Sequence, residues 1–190
     1  MASTSSTSLL DPRAYHIICY STFVGTTFFQ SFVAGPVGFK TLPRAMFGRL
    51  QQTTTPVFFA IQTALSIGMI LTYPGERSTS AGLLGHRVHA GWSGLMADSN
   101  LWTITIPLLV ILVTSAANLV VLGPATTKTM KLRHHQETRD GKKSYDAGPH
   151  SPEMAALNKR FGMLHGASSL LDLVGYIASL YYGFILGARI

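Results

Sequence analysis

Asp172 is the residue whose type and position point most directly to chemistry. It lies in the most apolar stretch of the chain, residues 164–187. A carboxylate at the centre of a bilayer costs about 3 kcal/mol on insertion scales, so it normally faces a partner or a water-filled cavity. Small and polar residues share its helical face at spacings of three and four: His165, Ser168, Ser169, Tyr176, Ser179 and Gly183. The pattern predicts a membrane helix with one polar side.

The stretch that carries Asp172 is one of four long tracts that are almost free of lysine, arginine, aspartate and glutamate. Charged residues make up 12% of the chain, against roughly 25% in soluble proteins. Because a spanning helix needs about 20 apolar residues, we predict spans over approximately residues 14–39, 56–73, 101–122 and 164–187. We expect a disordered segment over 1–13 and one domain over 14–190. Its fold class is all-α, an up-down-up-down four-helix membrane bundle with a long basic loop between the third and fourth spans.

Polar residues recur on one side of every predicted span, so they should meet inside the bundle. The candidate intramembrane polar cluster consists of Gln30, Gln62, Asn118, His165, Ser169 and Asp172. Inter-helix hydrogen bonds of this kind can simply fix the register of the helices, and we favour that interpretation. The alternative is a hydrated or ligand-binding cleft. Since no lysine or arginine lies inside the spans, His16 and His165 are the nearest titratable candidates to pair with Asp172.

No sequence pattern typical of a catalytic or metal site occurs, so we expect neither enzyme activity nor a cofactor or metal. His16 and His165 lie near the starts of spans that run in opposite directions, which argues against both ligating one haem or metal ion. A His-ligated cofactor enzyme is therefore a remote alternative. The other candidate histidines lie in loops and lack a third ligand at useful spacing: His86, His89, His134 and His135.

The basic residues are distributed asymmetrically about the predicted membrane. Of the 15 lysines and arginines, eleven lie on the side of the first and third loops and four on the other side. The positive-inside rule therefore places loops 41–54 and 123–160 in the cytosol. The same rule accounts for the net charge of +7 without nucleic acid, although the loops could contact anionic lipid headgroups.

Rows of small residues predict close helix contacts. Ala60, Ala64 and Gly68 would let another helix approach the second span. On the fourth span, a row of Ser179, Gly183 and Gly187 could support a homo-oligomer or a partner membrane protein.

Three groups of motifs, in order along the chain, resemble the transmembrane-protein-205-like family. The first group contains Phe32-Val33-Ala34-Gly35, Leu42-Pro43-Arg44-Ala45-Met46-Phe47-Gly48, Gln51 and Pro56-Val57-Phe58-Phe59. The second contains Asn118, Leu122, Pro124, Thr126, Thr127 and Met130. The third contains Ala156-Leu157, Phe161, His165-Gly166, Ser168-Ser169-Leu170 and Leu173. Two positions depart from the pattern: Asp172 replaces an asparagine, and Gln30 lies near an aromatic-rich position.

The resemblance implies a small four-span eukaryotic membrane protein of undefined activity and brings no catalytic residues. The sequence favours a non-enzymatic membrane organiser or a trafficking and interaction protein. The alternative is a small-molecule or ion transporter, or a transporter accessory subunit, that uses a polar cleft around Asp172. We favour the endomembrane system (endoplasmic reticulum, Golgi or plasma membrane) over a mitochondrial membrane.

Overall fold

The computed structural model describes residues 11–77, 87–88 and 90–189, and in this part of the chain four long helices dominate. The first to fourth long helices, as they are called below, are Pro12–Thr41, Arg44–Leu71, Asp98–Asp140 and Pro152–Arg189. All four are long and apolar enough to cross a membrane, which confirms the predicted all-α four-helix membrane architecture. Between the second and third lie a two-residue antiparallel pair, Glu76–Arg77 with Arg87–Val88, and a short helix, Gly91–Leu95.

Each long helix packs against its neighbours in the chain. The first contacts the second and fourth, and the third contacts the same two helices. Consecutive helices run in alternating directions, because the start of one lies beside the end of the next: His16 near Thr72, Gly48 near Met130, and Asn100 near Arg189. This is the up-down-up-down arrangement. The apolar core is concentrated towards one end of the bundle, and its buried members are Phe23, Met69, Tyr73, Leu95, Ile104, Leu108, Ile111, Tyr182 and Leu186.

The helices extend beyond the predicted spans. Asp11 caps the first helix, since its carboxylate accepts a hydrogen bond from the Arg13 N–H at 2.9 Å. Residues 11–13 of the segment predicted to be disordered are therefore ordered, whereas residues 1–10 lie outside the described residues. The second helix begins at Arg44, well before the predicted start of the span at Pro56, because Pro43 provides the break at its N-terminus.

The long basic connection is mostly helical. The third helix has 43 residues and the fourth has 38, about twice the roughly 20 needed to cross a bilayer. The polar extension of the third helix ends at Gly141, whose φ of +63° is a left-handed conformation that favours glycine. The fourth helix begins at Pro152, where the Ser151 hydroxyl accepts a hydrogen bond from the Met154 N–H at 3.1 Å.

Three π-helical turns interrupt the first and third helices, and each ends just before a glycine–proline or isoleucine–proline pair. The turns are Phe29–Ala34, Leu101–Thr105 and Asn118–Leu122. A proline lacks an N–H and its ring collides with the carbonyl four residues earlier. A wider turn relieves this collision: in each case the residue before the proline donates its N–H five residues back, as Gly123 does to Asn118.

Candidate functional site

The Asp172 carboxylate is held by neutral donors from two other helices. The Ser31 hydroxyl on the first helix donates to Oδ2 at 2.7 Å. The side-chain amide of Gln62 on the second helix donates to Oδ1 at 2.9 Å. Among the described residues, no lysine, arginine or histidine forms an ion pair with Asp172. Because a carboxylate offers about four lone-pair positions, these two bonds leave acceptor capacity at the half-buried carboxylate.

Gln62 links Asp172 to the interior of the bundle. Its Nε2 also donates to the Thr27 hydroxyl at 2.9 Å, and Thr27 in turn donates to the Phe23 carbonyl at 2.7 Å. Gln62 and Thr27 are both buried. Each N–H of the amide therefore has an acceptor, and the three helices are fixed relative to one another at this level.

Among the described residues, the other members of the predicted cluster form no hydrogen bond with Asp172. Gln30 donates to Gln51 Oε1 at 3.4 Å. Asn118 is buried and donates to the Ser168 carbonyl at 3.1 Å, while its Oδ1 has no hydrogen-bond partner among the described residues. His165 and Ser169 are exposed on the fourth helix. Only Gln62 of the predicted cluster bonds directly to Asp172, and Ser31, which lies outside that cluster, supplies the second bond.

A groove of about 1010 Å³ connects Asp172 with the basic connections. All four long helices line it, including the predicted residues Gln30, His165 and Ser169. Its aromatic lining residues are Phe32, Phe39, Phe47, Phe58, Phe59, Tyr145, Phe161 and Tyr176, and polar side chains form much of the rest. A cleft of this size that combines apolar surface with convergent polar groups is the usual form of a small-molecule site.

The end of the groove farthest from Asp172, here called the mouth, is basic. Its cationic lining residues are Arg44, Arg49, Lys131, Arg133 and Lys143. The Arg44 guanidinium lies over the Phe39 ring at 4.2 Å, and that of Arg133 lies over the Phe161 ring at 4.4 Å. His165 stacks on the same Phe161 ring, with the ring centroids 5.6 Å apart. Two cation–ring pairs therefore line the mouth.

Hydrogen bonds among Glu137, Ser144 and Asn158, here called the clasp, hold the connection between the third and fourth helices beside the mouth. The Ser144 hydroxyl and N–H donate to Glu137 Oε1 at 2.6 and 3.0 Å, and Asn158 donates to the Ser144 carbonyl at 3.1 Å. Burial raises the pKa of the Glu137 carboxyl, but the bonds from Ser144, together with His134 and Lys143, lower the pKa below its ordinary value overall. The clasp therefore depends on an ionised glutamate.

The opposite end of the bundle is closed by polar side chains that bond to one another. His16 Nε2 and the Tyr182 hydroxyl are 2.6 Å apart, and His16 Nδ1 lies 3.3 Å from the Thr72 hydroxyl. Arg189 donates to Asn100 Oδ1 at 2.6 Å. His16 is thus paired with Tyr182 and not with Asp172, as the sequence had suggested it could be.

In each of the two small-residue rows, one glycine lies against another helix while another member of the row is exposed. A side chain at Gly68 would meet Cys19 Sγ at 2.8 Å, so the first helix approaches there, but Ala60 and Ala64 are exposed. A side chain at Gly183 would collide with the Tyr20 hydroxyl, whereas a Cβ added at Gly187 would have no atom of another helix or side chain within 4 Å. The Gly183 position is therefore used within the bundle and is not free for a second copy of the chain.

The described residues contain no group of three His, Cys, Asp or Glu side chains that could hold a metal ion. His134 lies 3.4 Å from Glu137 Oε2, and His135 is exposed. His86 and His89 lie outside the described residues.

The sequence of the chain matches the profile of a protein family and is distantly similar to a fungal protein. A profile of the family described as "Domain of unknown function (DUF4149)" matches residues 18–135. The chain is 26% identical over 176 residues to "Xanthocillin biosynthesis cluster protein D" of Aspergillus fumigatus, which covers 93% of this chain and 89% of that protein. No solved structure matches the chain significantly. The profile match includes Ser31, Gln62 and Arg133 and ends before Asp172.

Proposed function

Since the chain belongs to the family described as Domain of unknown function (DUF4149), we propose a function from its own structure. It is a multi-pass membrane protein that binds a small organic molecule in the groove, as a carrier or as the binding subunit of a transporter. The observation that carries this proposal is the groove of about 1010 Å³ that extends from the mouth to Asp172.

The polarity of the groove supports a ligand with both apolar and polar parts. The aromatic walls suit an apolar body. Asp172, with acceptor capacity beyond the bonds from Ser31 and Gln62, suits a ligand that presents a hydroxyl, an amine or another donor. The name of the A. fumigatus relative connects that protein with a biosynthesis cluster, and for this chain we propose a small organic ligand without specifying its identity.

The membrane-organiser interpretation remains the second candidate. At the closed end His16 pairs with Tyr182 and Arg189 donates to Asn100, as expected of a purely structural bundle. A structural bundle does not require a groove of this size, and for that reason we place ligand binding first.

Filling the groove tests the proposal. Ser169 lines the groove, whereas Ala167, two residues earlier on the same exposed part of the helix, lies outside it. The protein is purified in mild detergent and its co-purifying small molecules are measured by mass spectrometry. We expect Ser169→Trp to lose a molecule that wild type and Ala167→Trp retain. Equal retention by both tryptophan variants would exclude the groove as the binding site.

We also propose an orientation, a membrane system and a family relationship for the chain. We propose that loops 41–54 and 123–160 face the cytosol, that the membrane belongs to the endomembrane system, and that the chain is related to the transmembrane-protein-205-like family. A cysteine at Gln52 or at the exposed Tyr145 should react with an impermeant thiol reagent only after the cells are opened. Labelling of either cysteine in intact cells would contradict this orientation.

A further inference from the structure

We propose that the ligand of the groove is an anionic membrane lipid whose acidic headgroup binds Arg133 at the mouth. This inference rests on the proposed function, because it names the class of molecule that the groove takes. It goes beyond a general attraction between basic loops and acidic membranes, because it assigns the headgroup to one guanidinium inside the groove.

Arg133 is positioned before any ligand arrives. Its Nε donates to Asn158 Oδ1 at 2.8 Å, its guanidinium lies over Phe161, and the side chain is half-buried. Among the described residues, no carboxylate forms an ion pair with Arg133. A guanidinium carries five N–H donors in a planar fork that matches phosphate and carboxylate oxygens. The Nε bond uses one donor and leaves the terminal nitrogens for an acid group.

The charges around Arg133 suit an anion. Arg44, Arg49 and Lys131 also line the mouth. The acidic residue there, Glu137, interacts electrostatically with Arg133, but it also accepts hydrogen bonds from Ser144 and has Lys143 Nζ at 3.6 Å, so its charge is shared among several partners. Several cations therefore line the same end of the groove as Arg133, and the planar fork of an arginine suits recognition of a phosphate.

The walls of the groove indicate that the anion is attached to a lipid. Phe32 and Phe39 line the groove and are also 50% and 46% exposed, so this wall borders the bilayer. An acyl chain can lie along these rings while the headgroup lies at Arg133. Asp172 does not oppose this binding, because eleven residues separate it from Phe161 on the same helix, about 16 Å along the axis.

Binding measurements on matched arginine variants test the inference. Arg139 lies on the same helix as Arg133, is exposed and is outside the groove. Native mass spectrometry of the purified full chain would compare added phosphatidic acid with phosphatidylcholine of the same acyl chains. We expect wild type and Arg139→Gln to bind phosphatidic acid at least tenfold more tightly than phosphatidylcholine, and Arg133→Gln to lose this preference. Equal preference in the two arginine variants would overturn the assignment to Arg133.

A second pair keeps the test decisive if Arg133→Gln folds poorly. Lys131 and Lys128 are both exposed, and only Lys131 lines the mouth. Lys131→Gln should weaken phosphatidic acid binding several-fold, and Lys128→Gln should not; equal binding by these two variants would contradict the inference. Inorganic phosphate at the same concentration should compete weakly. Competition as strong as that of the lipid would show a free-anion site and overturn the lipid assignment.

The outcome can be separated from that of the proposed function. If Ser169→Trp still excludes a co-purifying molecule while no variant shows a preference for acidic lipid, the groove binds a ligand of another class. If Ser169→Trp and Ala167→Trp retain the same molecules, the proposed function itself fails.

Discussion

The two ends of the bundle use polar side chains in opposite ways. At the closed end, His16, Thr72 and Tyr182 are bonded to one another and His16 and Tyr182 are fully buried. At the groove end, Asp172 and Arg133 are only half-buried and each retains unused hydrogen-bonding capacity. In a membrane, buried polar groups that bond to one another fix helix positions, whereas polar groups that line a cavity mark a functional path. The difference separates a structural half of this protein from the half in which we propose that a ligand binds.

Close helix packing at the closed end predicts the largest effect. Gly183→Leu should destabilise the bundle by about 3 kcal/mol, because the new side chain would occupy the position of the Tyr20 hydroxyl and overpacking of this kind is costly. Gly187→Leu is the control, since nothing lies within 4 Å of a side chain there. Unfolding in mixed micelles measures both free energies. If Gly187→Leu proved the more harmful, the row would face a second copy of the chain instead.

The hydrogen bond between His16 and Tyr182 predicts the next effect. Tyr182→Phe removes the hydroxyl and leaves a buried ring nitrogen unpaired, which should cost about 1–3 kcal/mol. Tyr181 is 46% exposed, so Tyr181→Phe should change the free energy of unfolding by less than about 0.5 kcal/mol. The same micelle titration compares them. Equal effects would mean that the closed end is not held by this bond.

The hydrogen bonds of Asp172, in the proposed binding half, predict different losses of stability for two substitutions. Asp172→Leu should cost about 1–3 kcal/mol, because one N–H of the buried Gln62 loses its acceptor. Asp172→Asn should cost less than about 1 kcal/mol, since its oxygen can accept from Gln62 while its amide donates to the Ser31 hydroxyl. The unfolding free energy and the co-purifying ligand are both measured. A stable Asn variant that has lost its ligand would assign Asp172 to binding; equal losses of stability would contradict the network.

The sequence predicts which residues lie on the polar faces better than it predicts which of them meet. Charge-free tracts and spacings of three and four suffice to identify the four membrane helices and to place Asp172 on a polar face. The partner of that residue could not be obtained this way. A helical wheel of the first span places Ser31 on the polar face and Gln30 at its edge, but it cannot show which residue of another helix each one meets. In the structure Ser31 donates to Asp172, whereas Gln30 donates to Gln51.

The groove itself has no signature in the sequence. Its mouth depends on the clasp that brings Ser144 and Asn158 back to the third helix, a contact set by the fold of the connection. The aromatic residues that line it look the same in the sequence as residues that face lipid, and Phe32 and Phe39 line the groove while about half of each side chain is exposed. Periodicity can therefore assign a residue to a face of its helix, but it cannot show whether a neighbouring helix or an open groove lies against that face.

The smallest predicted effect concerns pH and the clasp. The pKa of Glu137 is lowered in the folded protein relative to its ordinary value of 4.5. A carboxyl group with a lowered folded pKa stabilises the fold above its unfolded pKa, and this contribution is lost as the pH falls through the folded pKa. We expect hydrogen exchange in residues 141–151 to accelerate as the pH falls below about 4.5, after correction for the intrinsic dependence of exchange on pH. Glu137→Gln should exchange faster at pH 7 and lose the pH dependence, while Glu153→Gln, an exposed change at the start of the fourth helix, should behave as wild type. An unchanged exchange rate in Glu137→Gln would mean that the clasp is held by Asn158 and Ser144 without the glutamate, and that the mouth of the groove keeps its shape in acid.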